Sequence, residues 1–216
     1  MASPSTALNS ALDTFADGAY DPSIADAVNR LEAQSGIIPP AAITNVAAQT
    51  CDDGLVTTTL TLSTGTAVAT LVGLVKGQVI TNINLNSGAA SVSQTHCWAA
   101  ITGLGSSSTA TNAVVLAVTS DLTTTSTTAT AVQTLALTSK WTVPSTGFYY
   151  VHALAVATTT MPTFDAFAAT AGVRGVQYPI VAGTGTTSGS TAPTVGGTLG
   201  IPTASTVGKG LYVVLN

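Results

Sequence analysis

The chain has 216 residues, a formal net charge of −4 and only 6% charged residues, against about 25% in an average globular protein. Because it has neither a basic surface nor a run of about 20 apolar residues, we expect no nucleic-acid binding and no membrane insertion. Its length suffices for a packed core, and a surface built from threonine and serine suits a protein that packs against copies of itself or within a large assembly.

The first 38 residues are predicted to form a helical segment. Apolar residues recur at helical spacing in two stretches, and Ser5 or Thr6 and Asp21 are suitable residues to cap their starts. The two apolar stripes consist of Leu8, Leu12 and Phe15 in the first helix and Ile24, Val28 and Leu31 in the second. Two short helices do not form a stable core alone. We therefore expect the segment either to pack against the rest of the chain or to anchor the protein in a partner.

Residues 39–54 are predicted to be an extended linker, because Pro39 and Pro40 favour stiff, extended backbone. Residues 55–216 are predicted to form a β-domain. Short runs rich in valine and threonine are separated by turn signals at 55–62, 66–75, 78–85, 91–102, 112–119, 131–138, 147–157 and 210–215. The predicted fold is mainly β, an antiparallel β-sandwich (jelly roll) with a short N-terminal helical segment.

The strand GFYYVHALAVA (147–157) is apolar on both faces. One face carries Phe148, Tyr150, His152 and Leu154, and the alternate residues form the other. A strand with two apolar faces is buried on both sides, but in a two-sheet domain only one side meets the opposite sheet. We expect the Phe148 face to form a subunit interface; the alternative is that a loop such as 182–198 covers it within one chain.

The sequence contains no recognisable catalytic set. The two histidines, His96 and His152, lie in different strands, and the chain lacks the common hydrolase, zinc-protease and phosphate-loop motifs. Cys51 and Cys97 lack metal-ligand spacing, so two buried thiols or one long-range disulfide are the options. We therefore expect no enzyme activity, no metal and no cofactor. Trp98 and Trp141 are candidates for stacking on a glycan, although most aromatic residues should belong to the core.

Three stretches resemble a known family: HCWAAI (96–101), WTVPSTGFYYVHALAV (141–156) and TTTMPTF (158–164). They are similar to jelly-roll virion structural proteins, minor tail or surface proteins, of siphophages that infect actinobacteria. Members share a tryptophan-bearing strand, a "tVPxxGxYYv" strand, a short "vPt" turn and a helical start. The resemblance covers most of residues 70–165 and does not extend through 165–210. The stretch VPSTGFYYVH is also similar to a strand of trimeric C1q/TNF-like jelly rolls, whose aromatic face lies toward a threefold axis.

The resemblance implies a non-enzymatic structural protein on the surface of a tailed-phage virion, a minor tail or tail-tip component with a role in host binding. It implies a homotrimer that contacts other virion proteins through its N-terminal segment. Assembly in the host cytoplasm agrees with an N-terminus that lacks the basic and apolar regions of a secretory signal. A capsid decoration or head-fibre protein, and an adhesin module that binds host cell-wall glycan, are the alternatives.

Overall fold

Strands form most of the chain that the computed structural model describes. The described residues are 47–51, 53–106, 110–123, 127–168, 182–188, 190–202 and 208–216. They belong to one compact unit, Val46–Asn216. The predicted helical segment 1–38 lies outside the described residues, and so do its anchor residues Leu8, Leu12, Phe15, Ile24, Val28 and Leu31.

Thirteen strands and one short 3-10 helix, Asp53–Leu55, are present among the described residues. The strands are β1 (Ala48–Gln49), β2 (Val56–Thr61), β3 (Thr66–Leu74), β4 (Val79–Ser87), β5 (Val92–Thr102), β6 (Asn112–Val118), β7 (Ala131–Thr142), β8 (Gly147–Thr160), β9 (Thr163–Ala168), β10 (Ala182–Ser188), β11 (Thr198–Gly200), β12 (Lys209–Leu211) and β13 (Val213–Leu215).

The described strands are arranged in two antiparallel sheets. The first sheet has the order β1-β13-β4-β9-β12, with β2 added to β9 and β7 added to β4. The second has the order β10-β3-β8-β5-β6-β11. Thr119, just beyond the end of β6, bridges to Leu137 of β7 and so links the two sheets at one side. The predicted mainly β, antiparallel class is confirmed.

The main core lies between the two sheets. Ile83 and Leu85 of β4 share one buried cluster with Val68 of β3 and Val151 of β8, so the sheets pack face to face in a sandwich-like arrangement. A polar contact also joins them, because the buried Thr70 hydroxyl accepts the backbone N–H of Leu211 at 3.0 Å. This hydrogen bond satisfies a hydroxyl that would otherwise be buried without a partner.

The second sheet curls, so its other face is also enclosed. The strands at the two ends of its order, β10 and β11, approach within 8 Å between Cα atoms. The enclosed face carries a second and a third buried cluster, built around Trp98, Leu154 and Leu199 and around Tyr150 and Ile201. Residues of this one chain therefore cover both faces of β8.

The eight strands predicted from the sequence are all observed, the last of them divided at Tyr212 into β12 and β13. The described end of the predicted linker 39–54 contains the short strand β1. Its strand β1 pairs with β13, and the Thr50 hydroxyl donates to the carbonyl oxygen of Leu211 at 2.9 Å. These hydrogen bonds attach the chain before residue 55 to the first sheet.

Candidate functional site

The enclosed face of β8 carries a fully buried histidine, His152. In the register of the strands, His152 lies opposite Ala69 of β3 on one side and opposite Ala100 of β5 on the other. Two alanines leave room for the imidazole ring between the neighbouring strands. Tyr150 and Leu154, two positions to either side, fill the same face with larger side chains that are fully buried.

A segment that comes late in the sequence covers this face. Residues 190–201, which we call the cover segment, include β11, and β11 pairs with β6 through three residues. Leu199 belongs to the cluster of Trp98 and Leu154, and Ile201 belongs to the cluster of Tyr150. His152 lies between Tyr150 and Leu154 on the strand, so the side chains of the cover segment enclose it.

His152 is buried and has one hydrogen-bond partner among the described residues. Its Nε2 lies 3.0 Å from the hydroxyl of Thr102, and that hydroxyl lies 3.0 Å from the carbonyl oxygen of Gly103. A hydroxyl has a single proton, and the carbonyl can only accept. Thr102 therefore donates to Gly103, and Nε2 carries the ring proton and donates to Thr102. The Nδ1 atom makes no hydrogen bond with the described residues.

The surroundings of His152 keep its imidazole neutral. Burial lowers the pKa of His152 to about 3, because a charged ring would lose its hydration without gaining a charged partner. The ring of Tyr150 meets the imidazole edge-on, with 6.2 Å between the ring centroids. The described neighbours of the ring are therefore aromatic and aliphatic groups and the Thr102 hydroxyl, none of which is charged.

The predicted subunit interface is largely internal. Tyr150, His152 and Leu154 have no exposed surface in the single chain, so the alternative of cover by a loop of the same chain applies to them. The interface expectation for these three residues is corrected accordingly: the cover segment occupies the place that a second subunit was expected to take. Phe148, at the start of the strand, is 55% exposed and remains a candidate contact.

Phe148 lies in an exposed apolar patch at one end of the second sheet. It pairs with Gly73 of β3, and its Cε1 atom would be 3.7 Å from a Cβ placed on that glycine. The absence of a side chain at Gly73 lets the phenyl ring lie across the neighbouring strand. Val75, two positions beyond Gly73, is 56% exposed. These residues, Gly73, Val75 and Phe148, form what we call the Phe148 patch.

The two tryptophans occupy different environments. Trp98 is 1% exposed, and its indole N–H donates to the carbonyl oxygen of Ser190 at 3.0 Å, so this ring has no face to offer a glycan. The stacking expectation for Trp98 is corrected for that reason. Trp141 is partly buried and meets Tyr149 edge-on at 5.5 Å between centroids. It retains some exposed surface, and glycan stacking there stays a prediction.

One pair of polar residues was not recognised from the sequence. The Nδ1 atom of His96 and the Oδ2 atom of Asp121 are 2.7 Å apart, and Oδ1 of Asp121 accepts the backbone N–H of Cys97 at 3.1 Å. The pairing register of β5 with β6 accounts for the contact between the two residues. Ala100 pairs with Val118 and Ile101 with Ala117, and extending that register places Cys97 opposite Asp121.

The His96–Asp121 pair resembles two members of a hydrolase triad but has no nucleophile among the described residues. A triad requires a hydroxyl or thiol within hydrogen-bond reach of the second ring nitrogen. The described residues provide hydrogen bonds only to Nδ1. The neighbouring thiol of Cys97 points into the main core, and burial, with a smaller effect of the Asp121 charge, raises its pKa to about 12. The pair therefore fastens the chain after β6 onto β5.

The remaining candidate groups do not form a metal site within the described residues. No three His, Cys, Asp or Glu side chains there converge in a way that could hold a metal ion. Cys51 and Cys97 are not joined in a disulfide. No helix in the described part of the chain is long and apolar enough to cross a membrane.

Three comparisons with known proteins were made. No protein-family model matches the chain, and no match is found among curated proteins or among solved structures. The assignment of a function therefore depends on the chemistry of the described surface and on the sequence resemblance.

Proposed function

We propose that the chain is a non-enzymatic structural protein on the surface of a tailed-phage virion, a jelly-roll minor tail or tail-tip component that presents a host-binding surface. In this proposal the chain forms a homotrimer and is held in the particle by its first 38 residues. It assembles in the host cytoplasm. The sequence resemblance of residues 96–164 supports the family.

The Phe148 patch is the observation that carries the proposal. An exposed phenyl ring beside an exposed valine has a free-energy cost in water that contact with another protein surface removes. Among the large apolar side chains that are exposed in the described residues, Phe148 is the one aromatic residue, and the others are Leu55 and six valines. A surface with so few charges also has little electrostatic repulsion between neighbouring copies.

Sedimentation of the purified full-length chain tests the trimer. We expect a trimer at micromolar concentration, and Phe148→Ser should shift the chain toward monomer. Val132→Ser is the matched control, because Val132 is 61% exposed on β7 of the other sheet. A wild-type chain that stays monomeric, or equal effects of the two substitutions, would contradict the trimer contact.

Labelling of the chain in purified particles tests the location. Antibody or gold label is expected at the tail or tail tip. Label on the head would favour the second candidate, a capsid decoration or head-fibre protein. Deletion of residues 1–40 should leave the β-domain folded and abolish incorporation into particles; incorporation of the truncated chain would contradict the anchor.

Partial exposure of Trp141 favours one further candidate, an adhesin module that binds host cell-wall glycan. Binding to wall polysaccharide that is lost in Trp141→Ala and retained in Phe148→Ser would support it. An absence of binding to every wall fraction by a correctly folded chain would exclude it.

A further inference from the structure

We propose that the cover segment, residues 190–201, is an acid-released cover: it leaves the enclosed face of β8 when His152 takes up a proton. The proposal does not depend on the proposed function. The basic side chain of His152 lies inside a closed apolar layer, and its described hydrogen-bond partner is the neutral hydroxyl of Thr102.

The described residues offer the imidazolium form of His152 no second acceptor in the closed arrangement. The ring would have two N–H donors, of which Thr102 can accept one, and the described residues offer Nδ1 no partner. In the strand register His152 lies beside Ala69 of β3 and Ala100 of β5, its Nε2 meets the hydroxyl of Thr102, and its ring meets Tyr150. Tyr150 in turn shares a buried cluster with Ala113 of β6 and Ile201 of the cover segment. Tyr150 is the one titratable group among these neighbours, and a phenol carries no charge in acid.

The cover segment is held by a shorter strand pairing than the two strands that flank β8. On its two sides, β8 is joined to β3 and β5 by long ladders of backbone hydrogen bonds, so the strands beside His152 are firmly held. Behind β8 lies the main core. The cover segment is held by the three residue pairs of β11, by the Trp98–Ser190 hydrogen bond and by turn contacts such as Gly196 N–H to the carbonyl oxygen of Val115 at 2.9 Å. Opening there would give the imidazole access to water while both ladders of β8 stay paired.

The sign of the effect follows from the two protonation equilibria. Burial depresses the pKa of the closed form to about 3, whereas a water-exposed histidine has a pKa of about 6.5. Above pH 6.5 both forms are neutral, and acid has no effect on their ratio. Between pH 6.5 and 3 only the open form binds the proton, so the ratio of open to closed form increases by up to about tenfold for each pH unit.

Native-state hydrogen exchange of the full-length chain tests the proposal. The amide of Ile201 donates to the carbonyl oxygen of Thr111 at 2.9 Å and reports opening of the cover segment. After correction for intrinsic exchange, its opening constant should increase about 250-fold between pH 7.5 and 4, the change expected for pKa values of 6.5 and 3. In His152→Gln, whose amide keeps a donor for Thr102, this increase should be lost. An equal increase in wild type and variant would overturn the proposal.

A second amide distinguishes release of the cover from unfolding of the whole unit. Tyr212 in the first sheet donates its N–H to the carbonyl oxygen of Asp165 at 2.9 Å. We expect a larger opening constant at Ile201 than at Tyr212 at every pH. Equal constants would mean that the unit opens as a whole, against the proposal.

A titration of the wild-type chain keeps the test independent of whether the variant folds. The ring protons of His152 should show no chemical-shift transition in the folded protein until the pH approaches 3. A transition near 6.5 while Ile201 stays protected would show that the ring can be charged beneath a closed cover, and would overturn the proposal.

Discussion

The indole N–H of Trp98 donates to the carbonyl oxygen of Ser190 at 3.0 Å, which joins β5 to the cover segment across 92 positions of the sequence. Trp98 is also in the buried cluster of Leu154 and Leu199. One side chain therefore contributes both apolar contact and a directed hydrogen bond to the closure of the curled sheet. A buried tryptophan usually has such a partner for its N–H group.

Replacing Trp98 with phenylalanine should loosen this closure. Trp98→Phe leaves the Ser190 carbonyl without its donor and leaves space beside the smaller ring, so we expect the free energy of unfolding to decrease by about 2–3 kcal/mol. Trp141→Phe is the matched control and should cost less, because Trp141 is only partly buried and its indole N–H makes no hydrogen bond with the described residues. Chemical denaturation measures both, and equal losses would contradict the contribution of the Ser190 contact.

Gly210 is required by the aromatic ring that lies across it. It pairs with Phe167 of β9, and a Cβ on Gly210 would overlap the Cζ atom of that ring. Gly210→Ala should therefore destabilise the unit by about 1–3 kcal/mol, since the ring is buried and must move. Gly147→Ala, where a Cβ would have nothing within 4 Å, should change the stability by less than about 0.5 kcal/mol. Thermal unfolding compares the stability of the two variants. An unchanged stability in Gly210→Ala would show that the Phe167 ring can move aside without cost.

The sequence predicted the strands that alternate and did not predict those that are short or lack apolar residues. β1 has two residues and β11 has three, which is too short for any periodicity to be recognised. β10, AGTGTTS, contains no large apolar residue and was interpreted as a loop. β9 follows Pro162 and includes Asp165, and both features weaken a strand pattern.

The burial of β8 on both faces was predicted correctly. Whether a second subunit or a loop of the same chain covers the outer face was not decided from the sequence. Leu199 and Ile201 stand in a run of glycine, threonine and proline that has no pattern of its own, and only the tertiary structure shows that they meet Leu154 and Tyr150. The environment of His152 is hard to infer for the same reason. Its two alanine neighbours come from strands β3 and β5, whose register with β8 the sequence does not reveal.

Thr130 is held in a backbone conformation that favours glycine. Its φ is 50°, which is uncommon for a β-branched residue, and it precedes β7. The Ser87 hydroxyl holds the chain on both sides, since it contacts the carbonyl oxygens of Thr128 and Ala131 and accepts the Ala131 N–H at 3.2 Å. The contacts of Ser87 explain how the fold maintains the conformation.

Thr130→Gly should stabilise the unit by about 0.5–1 kcal/mol, because relief of the left-handed strain exceeds the entropy that glycine adds to the unfolded chain. Thr128→Gly is the matched control, because it removes the same type of side chain from an exposed position two residues earlier. The φ of Thr128 is not positive, so glycine there should only cost stability, by about 0.5–1 kcal/mol. Urea denaturation of the two variants gives the comparison, and a loss of stability in both would show that Thr130 is not strained.

The Tyr149 hydroxyl fastens the turn that begins β8. It donates to the carbonyl oxygen of Ser145 at 2.7 Å and, since its own proton is used there, accepts from the Ser145 hydroxyl at 3.1 Å. Tyr149→Phe removes both bonds, and we expect it to lower the free energy of unfolding by about 1–2 kcal/mol. Ser145→Ala removes only the second bond and should cost about 0.5 kcal/mol. In the double variant, the effect of Ser145→Ala should disappear, because its partner is already gone. Additive losses would mean that the Ser145 hydroxyl acts through another contact. The edge-on packing of Tyr149 on Trp141 would then be the contact of Tyr149 that positions the turn.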